Sequence, residues 1–435
     1  MISIGGIIGA GLFVGTSAAI VAAGPAAVLS YMAAGLLMLF IMRMLGEMAI
    51  ASPHIQSFTE FARAGLGPGA GFVAGWLYWY FWVVVIPIEA IAGANLLHGW
   101  LPLPTWEIGL GLIAAMTAVN LMSARSYGEF EFWFASIKVA AILAFIVIAC
   151  SYAFGWTSPS GNTFGNLVNL GGFAPHGYVA ALAGVATAFF ALTGAEIITI
   201  ASAESKEPSR AVAQMTRSVV MRILAFYVTS LLLIVAVVPW TAVKSGESPF
   251  TLAMATVGLP WADKIISAVI LTAVLSCLNS SFYVCSRVLF VLAANHDAPK
   301  WLVKLDSRRV PSRSVLIGAV AGILGILANK MSPTGVFAFL VNAGGALILF
   351  VYIMIAISQI RLRFERQRQG QKEAALTMWW FPWGSYLTIA GMFAVLCAML
   401  STPDLADELY VSLVALIVAL LAYGLLRHFR RRNVI

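Results

Sequence analysis

The sequence predicts an all-α, polytopic membrane protein with twelve transmembrane helices. Of its 435 residues, 61% are hydrophobic and only 10% are charged, and the mean hydropathy is +0.92. Soluble domains are roughly 45–50% apolar and about 25% charged. A chain of this size could not hide so much apolar surface from water, so its solvent must be lipid. The apolar residues also form runs of the ~20 residues that a helix needs to cross a bilayer.

Twelve apolar runs, numbered here as the first to twelfth spans, alternate with polar loops along a single transmembrane domain covering residues 1–435. Their approximate limits are 1–23, 26–52, 69–97, 106–122, 132–154, 178–202, 219–238, 263–294, 315–328, 336–358, 380–400 and 409–425. The first run lacks the basic region and cleavage site of a signal peptide. Met1 already lies inside it, which leaves open whether a further cytoplasmic segment precedes it.

Basic residues are concentrated in every second loop, and this asymmetry predicts the orientation. The loops after the second, fourth, sixth, eighth and tenth spans and the C-terminal tail hold most of the arginines and lysines. The opposite loops keep only Lys244, Lys264 and Lys330. The positive-inside rule then puts both termini in the cytoplasm. The net charge of +8 is explained by this pattern, and no nucleic-acid partner is expected.

The first span is expected to be broken, because glycines at 5, 6, 9 and 11 each weaken a helix by about 1 kcal/mol relative to alanine. In lipid, unpaired backbone groups are tolerated only where they line a protein cavity. Free N–H groups of an unwound turn can hold a carboxylate, and free C=O groups an ammonium. The alternative is a close helix crossing, because glycines 5 and 9 have the required spacing. The predicted substrate-binding residues of this turn are Gly5, Gly6, Ile7, Gly9, Ala10 and Gly11.

The sixth span carries a second predicted break. Thr193 and Gly194 form a helix-weakening pair in mid-span, Glu196 follows them, and Phe190 lies one turn before. We expect Phe190, Thr193 and Gly194 to contact the substrate. Glu196 is expected either to cap the broken turn or to belong to a proton path.

Paired interruptions at corresponding positions are typical of an inverted repeat with the binding site between its halves. The first and sixth spans each begin a half of five helices. The sequence therefore predicts a first repeat over residues 1–156, a second over 178–358, and two additional helices over 379–427.

Ionisable residues inside a membrane are costly and usually functional. Glu89 lies deep in the third span, where Pro87 is expected to open the helix just before it. This acid could neutralise a substrate ammonium or carry a proton, or it could be a carboxyl kept neutral by burial. Lys138 in the fifth span could shuttle a proton, or it could snorkel to the cytoplasmic surface, ~9 Å away by helix rise.

Other polar residues favour structural roles. Arg43 and Glu47 lie one turn apart near the cytoplasmic end of the second span and are predicted to form a structural ion pair. The four cysteines lie in or beside apolar runs and are expected to be packing residues. No metal site is expected, because the histidines fall in loops or at span ends without ligand spacing. No clustered polar residues suggest an enzyme, and no polar helix stripe suggests a channel.

Four motifs taken together resemble the amino acid–polyamine–cation permease superfamily, and within it the bacterial amino acid transporter family. They are Gly5–Gly15, Arg43–Met48, Tyr127–Trp133 and Gly194–Glu196. The third-span run from Gly75 to Ala90 is most similar to members that carry 4-aminobutyrate (GABA).

This resemblance implies a LeuT-type fold of ten core helices plus two, in a bacterial inner membrane. It implies import of GABA or a related zwitterion by proton symport with alternating access, driven by the proton gradient and without a cofactor. Substrate and coupling roles are implied for Glu89, and coupling roles for Glu196 and for Lys138, which stands where relatives carry a lysine in place of a sodium site. A permease for proline or another amino acid, and a transport-like sensor, remain the alternatives. The sequence does not indicate an oligomeric state.

Overall fold

The computed structural model is helical wherever regular secondary structure is assigned among the residues it describes. These residues are 8–55, 57–122, 124–197, 224–259, 261–332, 336, 340, 344 and 346–432. The helices are α1 (Ala10–Phe13), α2 (Thr16–Ala23), α3 (Ala27–Ala51), α4 (Phe58–Leu66), α5 (Pro68–His98), α6 (Thr105–Met122), α7 (Ala124–Ala153), α8 (Gly177–Ala183), α9 (Val185–Leu192), α10 (Leu224–Val237), α11 (Pro249–Val257), α12 (Ala262–Ala294), α13 (Ser312–Met331), α14 (Leu347–Arg368), α15 (Trp383–Met399) and α16 (Pro403–Arg432).

The predicted spans agree with these helices wherever the structure describes them. Eight helical stretches are long and apolar enough to cross a bilayer, and three shorter apolar stretches accompany them, all within the described residues. One of the eight, Ala10–Ala51, contains both the first and the second predicted span. A single 3-10 turn at Gly24–Ala26 separates the two, at the Gly-Pro pair where the first span is expected to end. The total of twelve spans stays a prediction.

The first span is not a continuous helix. Gly9 has an extended backbone (φ −130°, ψ −153°), and α1 begins only at Ala10. The chain bends again at Val14 and Gly15, between α1 and α2. The turn before Gly9 lies outside the described residues, so the structure describes the first span only from the edge of the expected break onwards.

The sixth span is interrupted where the sequence predicts. Helix α9 ends at Leu192, and Thr193 is extended (φ −62°, ψ 140°). Gly194 follows with φ +117°, a conformation that side-chain-bearing residues rarely adopt. The Thr-Gly pair therefore ends the helix in the middle of an apolar run.

The third span is the central helix of the bundle. Its helix, α5, packs most extensively against α12 and also contacts α4, α6 and α13. The expectation that Pro87 opens this helix is wrong, because α5 continues from Pro68 to His98 through it. Gly325 of α13 lies against the Pro87 ring, so a neighbouring helix covers the proline and supports the helix at this position. Helix α16, by contrast, is largely exposed, which agrees with a lipid-facing helix.

Candidate functional site

A small cavity lies where the broken ends of the first and sixth spans meet the third and eighth spans. Its free volume is about 20 Å³, on the order of the space that one water molecule needs. The lining residues are Gly9, Gly11, Phe81, Trp82, Val85, Glu89, Phe190, Ala191, Thr193 and Cys277. Five of these, Gly9, Gly11, Glu89, Phe190 and Thr193, are residues that the sequence predicts for substrate binding.

The first span approaches its neighbours closely at this cavity. A Cβ atom placed on Gly9 would lie 2.6 Å from Cys277 Cβ, and one on Gly11 would lie 2.9 Å from Ala191 Cα. Only glycine fits such distances without displacing a neighbour. The two sequence interpretations of the glycine motif therefore both apply, because the chain is non-helical at Gly9 and also packs tightly there.

Glu89 supplies the acidic group of the cavity. Its side chain is buried, with 2% of its surface exposed. Oε1 accepts a hydrogen bond from the N–H of Ala10 at 3.3 Å. Oε2 has no hydrogen-bond partner among the residues that the structure describes. Leaving a buried neutral polar atom without a hydrogen-bond partner costs roughly 1–3 kcal/mol, and a charged group costs more. This oxygen is therefore well suited to accept a hydrogen bond from a cationic ligand.

Lys138 lies behind the cavity, next to the broken first span. It is fully buried, and its Nζ donates a hydrogen bond to the carbonyl of Ile8 at 2.6 Å. The alternative that this lysine snorkels to the membrane surface is therefore wrong. Its side chain interacts electrostatically with the carboxyl groups of Glu89 and Glu131, so two buried acids lie near this lysine.

Glu196 is held at the break of the sixth span by donors from three elements. Its two carboxylate oxygens accept hydrogen bonds from the hydroxyls of Tyr78 and Tyr352, each at 2.8 Å. The N–H of Gly194 donates to both oxygens at 3.2 and 3.1 Å. This carboxyl thus caps the interrupted helix and ties it to the third and tenth spans. Its predicted role in proton coupling stays a prediction.

Glu47 belongs to a separate polar network at the end of the second span. Its carboxylate pairs with Arg363 at 3.4 Å and with Arg366 at 3.2 Å, and it accepts a bond from the N–H of Met378 at 2.7 Å. Arg43 donates to the carbonyl of Thr377 at 2.6 Å. The structural role expected for Glu47 thus involves arginines of the tenth span, and its pairing with Arg43 stays a prediction.

Ala10 and Gly194 are further predicted binding residues that the structure describes. Ala10 begins α1 and contacts Glu89 through its N–H, and Gly194 lies beside Glu196. Gly5, Gly6 and Ile7 lie outside the described residues.

Several residues that line the cavity are not predicted from the sequence. Phe81 and Trp82 belong to an aromatic-rich run, and no local signal distinguishes those that face the cavity. Cys277 was interpreted as a packing residue, yet it lines the cavity beside Gly9. The available signal was its position in a cluster of small polar residues, Ser276–Ser281, which is unusual in the middle of an apolar span.

Three kinds of similarity bear on the identity of this chain. A family model described as "Amino acid permease" matches residues 1–435. The gamma-aminobutyric acid permease of Bacillus subtilis is 43% identical over all of this chain and 92% of its own length. That of Escherichia coli K12 is 44% identical over 93% of this chain and 87% of its own length. An aromatic amino acid transport protein of Corynebacterium glutamicum is 37% identical over 94% of this chain and 89% of its own length.

The fold itself is shared with a more distant solved structure. The crystal structure of the Eremococcus coleocola manganese transporter, in complex with an aromatic bis-isothiourea compound, superposes with a TM-score of 0.60. It covers 99% of this chain and 93% of the other, at 12% identity. This likeness concerns the fold alone, and it agrees with the LeuT-type architecture that the sequence predicts.

Proposed function

This chain belongs to the amino acid permease family, and we propose that it imports GABA or a related zwitterionic amino acid by proton symport with alternating access. As a family member it is a multi-pass membrane transporter for amino acids, not an enzyme. The proposed substrate is supported by the GABA permeases among its relatives, at 43% and 44% identity.

One observation carries the proposal: Glu89 projects a buried, unpaired carboxylate oxygen into a cavity between two interrupted helices. A substrate ammonium group would give this oxygen its missing partner. A hydrogen bond to a charged group contributes about 1.5–3 kcal/mol. The substrate carboxylate would then be held by backbone N–H groups of the first-span glycine motif.

The size and walls of the cavity support a slender substrate. Gly11 and Ala191 bring the first and sixth spans close together, and Phe81 packs on Phe190 with ring centroids 5.8 Å apart. Even GABA exceeds the present free volume, so binding requires these side chains or helices to move apart. An aromatic substrate would require a much larger displacement, which favours GABA over the cargo named for the aromatic amino acid transport proteins.

Coupling to protons is supported by the position of Lys138. Its ammonium group holds the backbone carbonyl at the edge of the first-span break, as a bound cation would. Loss of its proton would release that carbonyl and leave Glu89 without a nearby positive charge. Protonation would in this way be linked to the arrangement of the first span, which alternating access requires to change.

The proposed location is the bacterial inner membrane with both termini in the cytoplasm. The support is the charge asymmetry of the loops. The network of Glu47, Arg363 and Arg366 would then lie at the cytoplasmic face, where arginine side chains are common.

The direct test is uptake of labelled GABA into proteoliposomes, with and without an inward proton gradient, in competition with unlabelled amino acids. We expect gradient-driven uptake that GABA analogues block and aromatic or basic amino acids do not. Suppression by another amino acid instead would refute GABA as the substrate. Uptake that ignores the gradient would refute proton symport, and absence of any uptake would favour a sensor.

Two variants separate the proposed roles at the site. Glu89→Gln removes the charge but keeps the size, and it should weaken substrate affinity about tenfold or more, equivalent to ~1.4 kcal/mol. Lys138→Met should keep the helix and abolish the response to the proton gradient. The matched controls are Glu247→Gln and Lys244→Met in an exposed loop, which should transport normally. Unchanged affinity and pH dependence in Glu89→Gln would make Glu89 a structural residue.

A further inference from the structure

A second buried carboxyl group lies near Lys138 on the same helix. Glu131 precedes Lys138 by seven residues on α7, which is about two helical turns and places both on one face. Both side chains are fully buried. Burying an acid inside a membrane protein is costly and usually marks a functional group, yet neither substrate binding nor the lysine itself explains this one.

The surroundings of Glu131 are polar and nearly free of other charges. The hydroxyl of Ser276 on α12 donates a hydrogen bond to Oε1, whereas Oε2 has no hydrogen-bond partner within the described part of the chain. Among the described residues, the charged side chain that interacts with Glu131 is Lys138, which lies on the same helix. Asn279 and Cys277 of α12 also interact with this carboxylate electrostatically.

Two further buried polar side chains lie on α12 and α6 near Glu131. Asn279 on α12 accepts a hydrogen bond from the side-chain amide of Asn120 on α6 at 2.8 Å. Asn120 is itself buried and lies two residues before the end of α6 at Met122. Helix α7 begins two residues later at Ala124, next to Arg125, and the charge pattern puts this connection in the cytoplasm. A buried polar series therefore runs from Lys138 towards the cytoplasmic face.

We propose that Glu131 accepts the proton that Lys138 releases during transport. The proposal rests on the proton symport proposed above. In the transfer, an N–H bond of the ammonium group breaks and an O–H bond forms on the carboxylate. Two opposite charges become two neutral groups, so the step places no unpaired charge in the low-dielectric interior. Glu131 is then the acceptor of the proton that leaves Lys138, whereas Glu89 faces the cavity.

The test separates proton coupling from substrate transport in proteoliposomes. One assay measures GABA accumulation under an inward gradient of about one pH unit, which drives a one-to-one symporter to about tenfold accumulation. The other measures exchange of internal for external GABA at equal pH on both sides, which needs no net proton movement. The variant is Glu131→Gln, and the control is Glu247→Gln, the same change at a residue 67% exposed.

We expect Glu131→Gln to keep exchange within about twofold of the original rate while its accumulation falls from about tenfold to about one. Parallel loss of exchange and accumulation would assign Glu131 a structural role and overturn the relay. Full accumulation would overturn it as well. If the unmodified protein itself exchanges GABA but does not respond to the gradient, proton symport fails, and the relay fails with it.

Two further variants keep the proposal falsifiable if Glu131→Gln does not fold. Glu131→Asp retains an acid and should still accumulate GABA. Ser276→Ala removes one donor but keeps the acid, and it should shift the midpoint of the pH dependence of uptake while accumulation persists. The relay would be overturned if Ser276→Ala had the same pH profile as the original protein and Glu131→Asp lost accumulation.

Discussion

Replacing Gly9 with alanine tests the close approach of the first and eighth spans at the cavity. The added methyl group would lie 2.6 Å from Cys277 Cβ, 2.7 Å from its Sγ and 3.0 Å from Glu89 Oε1. The backbone of Gly9 is extended (φ −130°), so alanine can adopt it and the cost is steric. Overpacking of this kind costs about 1–3 kcal/mol. If the strain is relieved by displacing Glu89 or the first span, substrate affinity should fall about 5- to 150-fold.

The assay is competition of unlabelled against labelled GABA in proteoliposomes, with a melting curve in detergent to detect general destabilisation. Gly111→Ala is the matched control, because its Cβ would meet open space. The decisive variant is the double change Gly9→Ala with Cys277→Gly, which removes both cysteine atoms that the methyl group meets. A double-mutant cycle should then show recovery of most of the lost affinity.

Two results would refute this reasoning. If Gly9→Ala binds and transports GABA like the original protein, the spans are not as close as the structure indicates. If Gly9→Ala is impaired but the double variant is no better, the impairment arises from the unwound turn itself and not from contact with Cys277. Cys277→Gly alone should cost about 1 kcal/mol of helix stability and serves as the second arm of the cycle.

Three other residues give independent predictions. Tyr352→Phe removes one donor from Glu196 and should destabilise the fold by about 1.5–3 kcal/mol, seen as a lower melting temperature in detergent; an unchanged melting temperature would argue against this bond. Arg363→Met removes one of the two arginines that pair with Glu47 in a buried network, and it should destabilise the fold by about 1–3 kcal/mol. Because the pair is shielded from solvent, high salt should not lower the melting temperature of the original protein by the same amount. Hydrogen bonds from a neighbouring serine hydroxyl and backbone N–H groups hold the pKa of Asp306 below its ordinary value. The stabilisation is therefore present above pH ~4 and lost as the pH falls through the lowered pKa, so the melting-temperature difference between Asp306→Asn and the original protein should shrink progressively as the pH falls below ~4.

The comparison of sequence and structure is most informative for the acidic residues in apolar runs. Glu47, Glu89 and Glu196 stand out in the sequence, whereas Glu131 precedes the predicted fifth span and belongs only to the motif Tyr127–Trp133. In the structure, Glu47 pairs with arginines, Glu89 faces the cavity, Glu131 approaches Lys138, and Glu196 is bonded by tyrosines. Local sequence indicates a structural pair for Glu47 and a helix break beside Glu196, but it does not identify the partners that each acid meets.

The sequence by itself determined the properties that depend on local composition. Hydropathy and charge spacing define the spans, and glycine or Thr-Gly pairs weaken the helix at the residues where they occur, so both interruptions could be predicted. Only the tertiary structure decided which side chains meet at those interruptions. Ala10 and Glu89 are 79 residues apart in the chain and Ile8 and Lys138 are 130 apart, and their contacts arise from the packing of whole helices. Because burial and hydrogen-bond partners are set by that packing, the roles of Glu131 and Cys277 emerge only when the spans are brought together.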